Sequence, residues 1–175
     1  IQLIKDIDPS VKTVGVIYNS GEVNSVVQVD LVKHIAKDLE LNVVEAVATN
    51  SSEVDQAAKS LVGKVDAIYV PTDNVAVTAL EAIIQVAEAN KILLVSAEKD
   101  SVNRGTVATI GLDYYKLGRQ TGEMALKILS GEAKPQDMSV ESQKDVDIII
   151  NLKAAKAMNV TIPQELLDKA AEVIE

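Results

Sequence analysis

The stretch Val65-Asp-Ala-Ile-Tyr-Val-Pro-Thr-Asp-Asn74 decides the fold of this chain. It opens as a short apolar run that favours a β-strand, and it stops at Pro71, which cannot donate a ladder hydrogen bond. A helical segment over 75–89 follows at once, and Asp73 or Asn74 is placed to cap it. The pattern predicts a buried parallel strand, a polar turn and a helix. Ligands of such sheets bind at the carboxyl ends of the strands, where Asp73 and Asn74 lie.

The same alternation of strands and helices extends on both sides of that stretch. Strands are predicted over residues 11–18, 42–48, 65–70, 92–95 and 106–110. Helices are predicted over residues 1–7, 24–39, 51–61 and 75–89, with a helical turn at 101–104. The alternation with short connections predicts an α/β fold, with a doubly wound, mostly parallel sheet flanked by helices.

Two of these helices carry more detailed expectations. The apolar stripe of the helix over 24–39 is formed by Val26, Val27, Leu31, Ile35 and Leu39. Ser51 and Ser52 are the N-cap candidates of the helix over 51–61.

The last third of the chain is less regular. A helix is predicted over 114–129, with one face formed by Leu117, Thr121, Met124, Ala125 and Ile128. A polar linker over 132–144, a strand over 146–150, a helix over 153–158 and a final helix over 164–174 follow, with Pro163 at or near the start of the last. We therefore divide the chain into a doubly wound lobe (1–112), a crossing helix and linker (113–145) and a returning strand with helices (146–175).

Composition excludes several classes of protein. Apolar residues make up 47% and charged residues 25% of the 175, which is typical of a globular domain. The formal charge of −9 disfavours nucleic acid as a partner, because phosphates need cations. The sequence contains no run of about 18 apolar residues, so no membrane span is predicted. No signal-peptide pattern opens the sequence, which starts within a helical segment.

Residues for catalysis are scarce. The single histidine, His34, lies beside Lys33 and Lys37 on a helix, which is typical of a solvated position. The chain has no cysteine, and the sequence motifs of serine hydrolases, P-loop proteins and zinc peptidases are absent. We therefore expect no enzyme activity, no cofactor and no metal site.

Polar side chains follow four of the predicted strands where those strands end. Because the carboxyl ends of parallel strands share one edge, these side chains are expected to converge. The set is Ser20, Asn24, Ser25, Asp73, Asn74, Ser96, Glu98, Asp113 and Tyr114. Each residue has two interpretations, a cap of the following helix or a contact to a small polar ligand.

Three blocks of sequence resemble a known family. They are Val14-Gly-Val-Ile-Tyr-Asn19 with Asn24-Ser25, the stretch from Val65 to Asn74, and Ala108-Thr-Ile-Gly-Leu-Asp-Tyr-Tyr-Lys-Leu-Gly-Arg-Gln-Thr-Gly122. Together they are similar to solute-binding proteins of ABC transporters, of the tryptophan/tyrosine-binding type. Gly131–Pro135 and Ile150–Ala155 continue the resemblance over nearly the whole chain.

The resemblance implies the type I periplasmic-binding-protein fold, in which two lobes close on a ligand, with a flavodoxin-like strand order in this lobe. It implies an extracytoplasmic protein or lipoprotein that serves the permease of an ABC importer. This chain looks like the second lobe only, and the helix 114–129 would pack on the first lobe. Without that lobe its apolar face is an association site, so we expect a homodimer through this helix.

The resemblance also implies a binding site for an amino acid, with an aromatic one as the better guess. Its residues here are Ser20, Asn24, Ser25, Asp73, Asn74, Asp113 and Tyr114. Asp73 or Asp113 is expected to hold an α-ammonium group, and Asn24 with Ser25 a carboxylate. The alternatives are a ligand-sensing domain of a transcriptional regulator with this fold, an isolated flavodoxin-like domain, or an engineered or truncated half-protein that binds nothing itself.

Overall fold

The fold is built on one seven-stranded sheet with the order β2-β1-β3-β4-β5-β6-β7. The structure is a computed structural model and describes residues 1–143 and 146–175. The strands are β1 (Thr13–Tyr18), β2 (Asn42–Val47), β3 (Ala67–Val70), β4 (Leu93–Ser96), β5 (Ala108–Gly111), β6 (Asp147–Asn151) and β7 (Glu172–Ile174). The first five are parallel, β6 runs antiparallel to β5, and β7 is parallel to β6. The predicted fold class and flavodoxin-like order of the first five strands are confirmed.

Nine α-helices in the described residues connect and cover these strands. They are α1 (Gln2–Ile7), α2 (Val23–Asp38), α3 (Val54–Leu61), α4 (Asn74–Thr78), α5 (Leu80–Asn90), α6 (Lys99–Arg104), α7 (Tyr114–Leu129), α8 (Leu152–Ala157) and α9 (Gln164–Lys169). Short 3-10 turns occupy Ser51–Glu53 and Pro135–Asp137.

The two faces of the sheet bury different sets of side chains. The larger core cluster includes Val14, Ile68 and Leu80, all fully buried, and it draws on both faces of β1, since Val14 and Ile17 point to opposite sides of the sheet. A smaller cluster on α2 and β1 contains Val16, Tyr18, Val29 and Val32. Burial on both faces explains why β1 and β3 are almost continuously apolar, as central strands of parallel sheets are.

The helix predicted over 75–89 is two helices. Asp73 caps α4, as expected of one of the two candidates, because its Oδ1 accepts a hydrogen bond from the backbone N–H of Ala76 at 2.8 Å. The helical path breaks at Ala79, whose φ and ψ are −108° and 28°, and α5 begins at the next residue. Nothing in the apolar pattern marks this break, since both helices bury residues against the same core.

The predicted apolar stripe of α2 is wrong. The residues that α2 buries are Ser25, Val29, Val32 and Ala36. Three residues of the predicted stripe, Val27, Leu31 and Ile35, are exposed instead. Because α2 carries apolar residues around most of its circumference, its periodicity does not define one buried face.

Two further predictions at element ends are wrong. The final helix ends at Lys169, and residues 172–174 form β7, which pairs with β6 through Ile149 to Asn151. The cap of the 3-10 turn before α3 is Asn50, whose Oδ1 accepts from the N–H of Ser52 at 3.1 Å. Ser51 and Ser52 lie inside that turn rather than at its cap.

Helix α7 has the bounds that the sequence predicts but buries none of its residues. Leu126 and Leu129 are 65% and 83% exposed. The predicted linker over 132–144 contains a 3-10 turn, and its last residue lies outside the described residues. Within residues 1–143 and 146–175, no helix is long and apolar enough to cross a bilayer.

Candidate functional site

The turns that follow β1 and β3 are held together at the carboxyl edge of the sheet. The N–H of Asn19 donates to Oδ2 of Asp73 at 2.7 Å, and Nδ2 of Asn24 donates to the carbonyl of Thr72 at 2.8 Å. Glu22 accepts from the backbone N–H and the side-chain amide of Asn74, at 3.1 and 2.8 Å. The expected convergence of these two strand ends is confirmed.

The ends of β4 and β5 are joined in a similar way. Glu98 and Leu112 form a parallel bridge just beyond the strands, and the N–H of Lys99 donates to the carbonyl of Leu112 at 3.3 Å. Asp113 then caps α7 by accepting from the N–H groups of Tyr115 and Lys116, at 2.9 and 3.1 Å. This connection places the start of α7 beside the turn after β4.

Between these turns lies a hollow of about 310 Å³, which we call the polar hollow. Its lining residues are Thr72, Asp73, Asn74, Val77, Thr78, Glu98, Asp100, Arg104 and Tyr114. The volume lies at the lower end of the range for small-molecule sites. Its position at the carboxyl edge, with helix starts around it, is the usual one for a ligand in an open α/β sheet.

The predicted site residues occupy three kinds of position. Asp73, Asn74 and Tyr114 line the polar hollow. Ser20 and Asn24 are exposed on the neighbouring turn, outside the lining. Three further residues lie outside the lining as well. Ser25 and Ser96 are buried, and the carboxylate of Asp113 caps α7.

Ser25 and Ser96 are both buried. The hydroxyl of Ser25 finds no partner among the described residues. Ser96 shares a 2.7 Å hydrogen bond with the hydroxyl of Thr106, which is also buried. Ser96 therefore has a structural partner rather than a free group for a ligand.

The charged groups of the polar hollow affect its tyrosine. Burial raises the pKa of Tyr114, and the carboxylates of Glu98 and Asp100 raise this pKa further. The Tyr114 hydroxyl is therefore protonated at neutral pH and can donate. The residue is 53% exposed, so a ligand in the hollow can reach it.

The single cation in the lining, Arg104, is already engaged. Its Nε and Nη2 donate to the two carboxylate oxygens of Glu81 at 2.8 and 2.7 Å, and Nη1 donates to the carbonyl of Val77. Hydrogen bonding to Glu81 raises the pKa of Arg104 and lowers that of Glu81. This fork fixes the guanidinium at the wall of the hollow.

Sequence reasoning missed five lining residues: Thr72, Val77, Thr78, Asp100 and Arg104. The pattern places Val77 and Thr78 inside one long helix, and nothing in it marks the break at Ala79. Asp100 lies in Lys99-Asp-Ser, which reads as a solvated turn. The sequence does contain one signal for Asp100. A short helix that follows the fourth strand has its first turn at the carboxyl edge of the sheet, where the site lies.

A second cavity, which we call the apolar groove, lies along one face of the sheet. It measures about 530 Å³ and includes Ile1, Ile35, Tyr69, Ile110 and Val146 in its lining. Burial raises the pKa of Tyr69 to about 12. The groove offers apolar area but few groups that recognise a charged ligand.

Comparison with known proteins also indicates a ligand-binding protein. The sequence pattern that defines the ABC transporter substrate binding protein family matches residues 1–174. The chain belongs to this family. A tyrosine-binding protein of Clostridioides difficile is 43% identical over 159 residues, which are 91% of this chain and 46% of that protein.

Solved structures of similar proteins agree with this assignment. A structure from Streptococcus pneumonia, described as an ABC domain in complex with L-Trp, superposes with a TM-score of 0.90 at 33% identity, over 99% of this chain and 58% of that one. A conserved domain protein of Vibrio cholerae gives 0.91 at 37%, over 98% and 58%. A LacI family regulator of Arthrobacter, at 16% identity and a TM-score of 0.65 over 85% of this chain and 59% of that one, shares the fold alone.

The length of the family members differs from that of this chain. It spans about half of the curated relatives it matches, 46% of one and 52% of the other. Family membership, the type I periplasmic-binding-protein fold and similarity to substrate-binding proteins are thus established for the chain.

Proposed function

We propose that the chain is a ligand-binding lobe that holds an amino acid, preferably an aromatic one, at the carboxyl edge of its sheet. The observation that carries this proposal is the polar hollow, where Asp73, Asn74 and Tyr114 come together beside a helix start. The tyrosine-binding relative and the neighbour in complex with L-Trp support the ligand class.

The seven predicted residues have separate roles in this proposal. Asn74 and Tyr114 contact the ligand directly, while Asp73 and Asp113 fix the first turns of α4 and α7. Ser20, Asn24 and Ser25 belong to the turn and first turn of α2, where no side chain caps the helix. The backbone N–H groups at this helix start receive the carboxylate of the ligand, while the Asn24 amide holds the turn to the carbonyl of Thr72.

The biological setting is that of an extracytoplasmic component, in a soluble or lipid-anchored protein, of an ABC importer. The chain is not an enzyme, and its protein partner is the permease, which reads the liganded form. His34 is exposed on α2, as the sequence predicts, and has no place in the hollow. A second partner is another copy of the chain, bound through the apolar side of α7.

Calorimetric titration of the folded chain with L-tryptophan, L-tyrosine and L-phenylalanine tests the ligand class, with L-alanine and ribose as comparison ligands. We expect weak binding that favours the aromatic amino acids, because a small ligand held by half a cleft stays partly solvated. Tyr114→Ala should weaken it about twofold to tenfold, and His34→Ala should leave it unchanged. Absence of heat from all three aromatic amino acids, up to their solubility limits, would contradict the proposal.

A further inference from the structure

The polar hollow carries an excess of negative charge. Asp73, Glu98 and Asp100 line it, against Arg104 as the one cation of its lining. Arg104 is itself neutralised by Glu81, through two hydrogen bonds of 2.7 and 2.8 Å. A ligand that enters the hollow therefore gains most from a cationic group, and each candidate carboxylate can be judged by what it already binds.

Both carboxylate oxygens of Asp73 already accept hydrogen bonds from the backbone. Its Oδ1 accepts from the N–H of Ala76 and its Oδ2 from the N–H of Asn19, at 2.8 and 2.7 Å. The residue is 1% exposed. An ammonium from solvent therefore has little access to this carboxylate, which already holds the cap of α4 and the tie to the first turn.

Glu98 is occupied in the same manner. Its Oε2 accepts from the N–H of Asp100 at 2.7 Å, and its Oε1 accepts from the N–H and the hydroxyl of Ser101. The residue is 4% exposed, so its carboxylate serves as the buried N-cap of α6. Asp113 caps α7 and lies outside the lining of the hollow.

Asp100 differs from these three acids. It is exposed, it lines the hollow, and among the described residues its carboxylate accepts no hydrogen bond and pairs with no cation. Tyr114 lines the same hollow, and the negative charges of Glu98 and Asp100 raise its pKa. The carboxylate of Asp100 and the face of the Tyr114 ring are both groups that attract an ammonium.

We infer that Asp100, rather than Asp73 or Asp113, binds the α-ammonium group of the ligand and thereby makes this site select amino acids over their deaminated analogues. This inference rests on the proposed function, since it assigns one group of the same ligand. It replaces the role that the family resemblance implies for Asp73 or Asp113. Those two acids hold the backbone that shapes the hollow, and Asp100 supplies the charge that the ligand meets.

The test compares Asp100→Asn with the original chain by titration with L-tryptophan and with 3-indolepropionate, which lacks the ammonium. We expect the substitution to weaken L-tryptophan binding about 10-fold or more, the range of a hydrogen bond to a charged group. Binding of 3-indolepropionate should not weaken. Asp100→Glu keeps the charge and should retain most of the affinity for L-tryptophan.

Asp38→Asn is the matched control, because Asp38 is exposed at the far end of α2 and the substitution removes the same charge. It should change neither affinity. Equal affinity of the original chain and Asp100→Asn for L-tryptophan would overturn the inference and leave the proposed function standing. Loss of folding in Asp100→Asn would also overturn it, because the inference requires a side chain that the fold does not use. Failure of the original chain to bind any amino acid would instead contradict the proposed function.

Discussion

Gly111 shows how little room the end of β5 leaves beside the candidate site. A Cβ added there would overlap the carbonyl oxygen of Ala97 and the hydroxyl of Thr109. The first is backbone and cannot swing aside, so the turns after β4 and β5 have to separate to admit a methyl group. The absence of a side chain at Gly111 thus keeps the turns after β4 and β5 close together, beside the apolar groove that Ala97 and Gly111 line.

Gly111→Ala is expected to lower the free energy of unfolding by about 1–3 kcal/mol, the usual range for overpacking. Gly118→Ala is the matched control, since nothing lies within 4 Å of an added Cβ there. Because Gly118 is in the middle of α7, alanine should favour the helix by roughly 0.5–1 kcal/mol. Urea unfolding of both variants checks the pair, and equal effects would contradict the packing at the end of β5.

Tyr69 predicts how stability changes at alkaline pH. Burial raises its pKa to about 12 in the folded chain, above the ordinary value of 10.0. Between these two values the unfolded state loses the proton that the folded state keeps. The contribution of the buried, protonated phenol to the free energy of unfolding is therefore complete below pH 10, and it is lost as the pH rises through 12.

Tyr69→Phe should remove this part of the alkaline loss, as measured by urea unfolding at several pH values between about 9 and 12. Tyr115→Phe is the control, because Tyr115 is 75% exposed. An alkaline loss that is the same in Tyr69→Phe and in the original chain would contradict the burial of this phenol.

At the scale of elements, α2 makes the sharpest distinction between sequence pattern and structure. Val29 is 1% exposed, whereas Leu31, which belongs to the predicted stripe, is 55% exposed. Val29→Ala is expected to cost about 1–3 kcal/mol of unfolding free energy, and Leu31→Ala less than about 0.5 kcal/mol. Denaturant unfolding of the two variants decides between the faces. A larger loss for Leu31→Ala would place the predicted stripe in the core.

Helix α7 is the element through which we propose that two copies of the chain associate. Since it buries none of its residues, and isolated helices of this length are marginal in water, its amides should exchange rapidly in dilute solution. The proposed homodimer predicts that their protection rises with protein concentration, while the amides of α5 stay protected throughout. Hydrogen exchange at two concentrations measures this. Protection of α7 that does not depend on concentration would contradict the dimer.

Most elements could be predicted because their patterns are local. Pro71, the apolar run before it and Asp73 define β3 and the start of α4 without help from the rest of the chain. Residues 172–174 are different, because they become a strand only through pairing with β6. Three residues at an edge carry too weak a propensity to compete with the helical pattern before them.

For the whole molecule, the sequence predicted the edge of the sheet where the site lies but not which acids are free there. That depends on hydrogen bonds between distant turns, such as the one from Asn19 to Asp73, and no spacing in the chain reveals them. The same turns explain why the polar hollow exists. The hydrogen bond from Asn19 to Asp73 joins two strand ends that are 54 positions apart in sequence, and both turns are held at the same edge of the sheet.

The proposed function requires that an aromatic amino acid binds at the polar hollow. Chemical-shift mapping of the isotope-labelled chain during a titration with L-tryptophan tests this claim most directly. We expect shifts at Asn74, Asp100, Arg104 and Tyr114 and in the first turn of α2. Shifts confined to the apolar groove, around Ile35, or no shifts up to the solubility limit of the ligand, would contradict it.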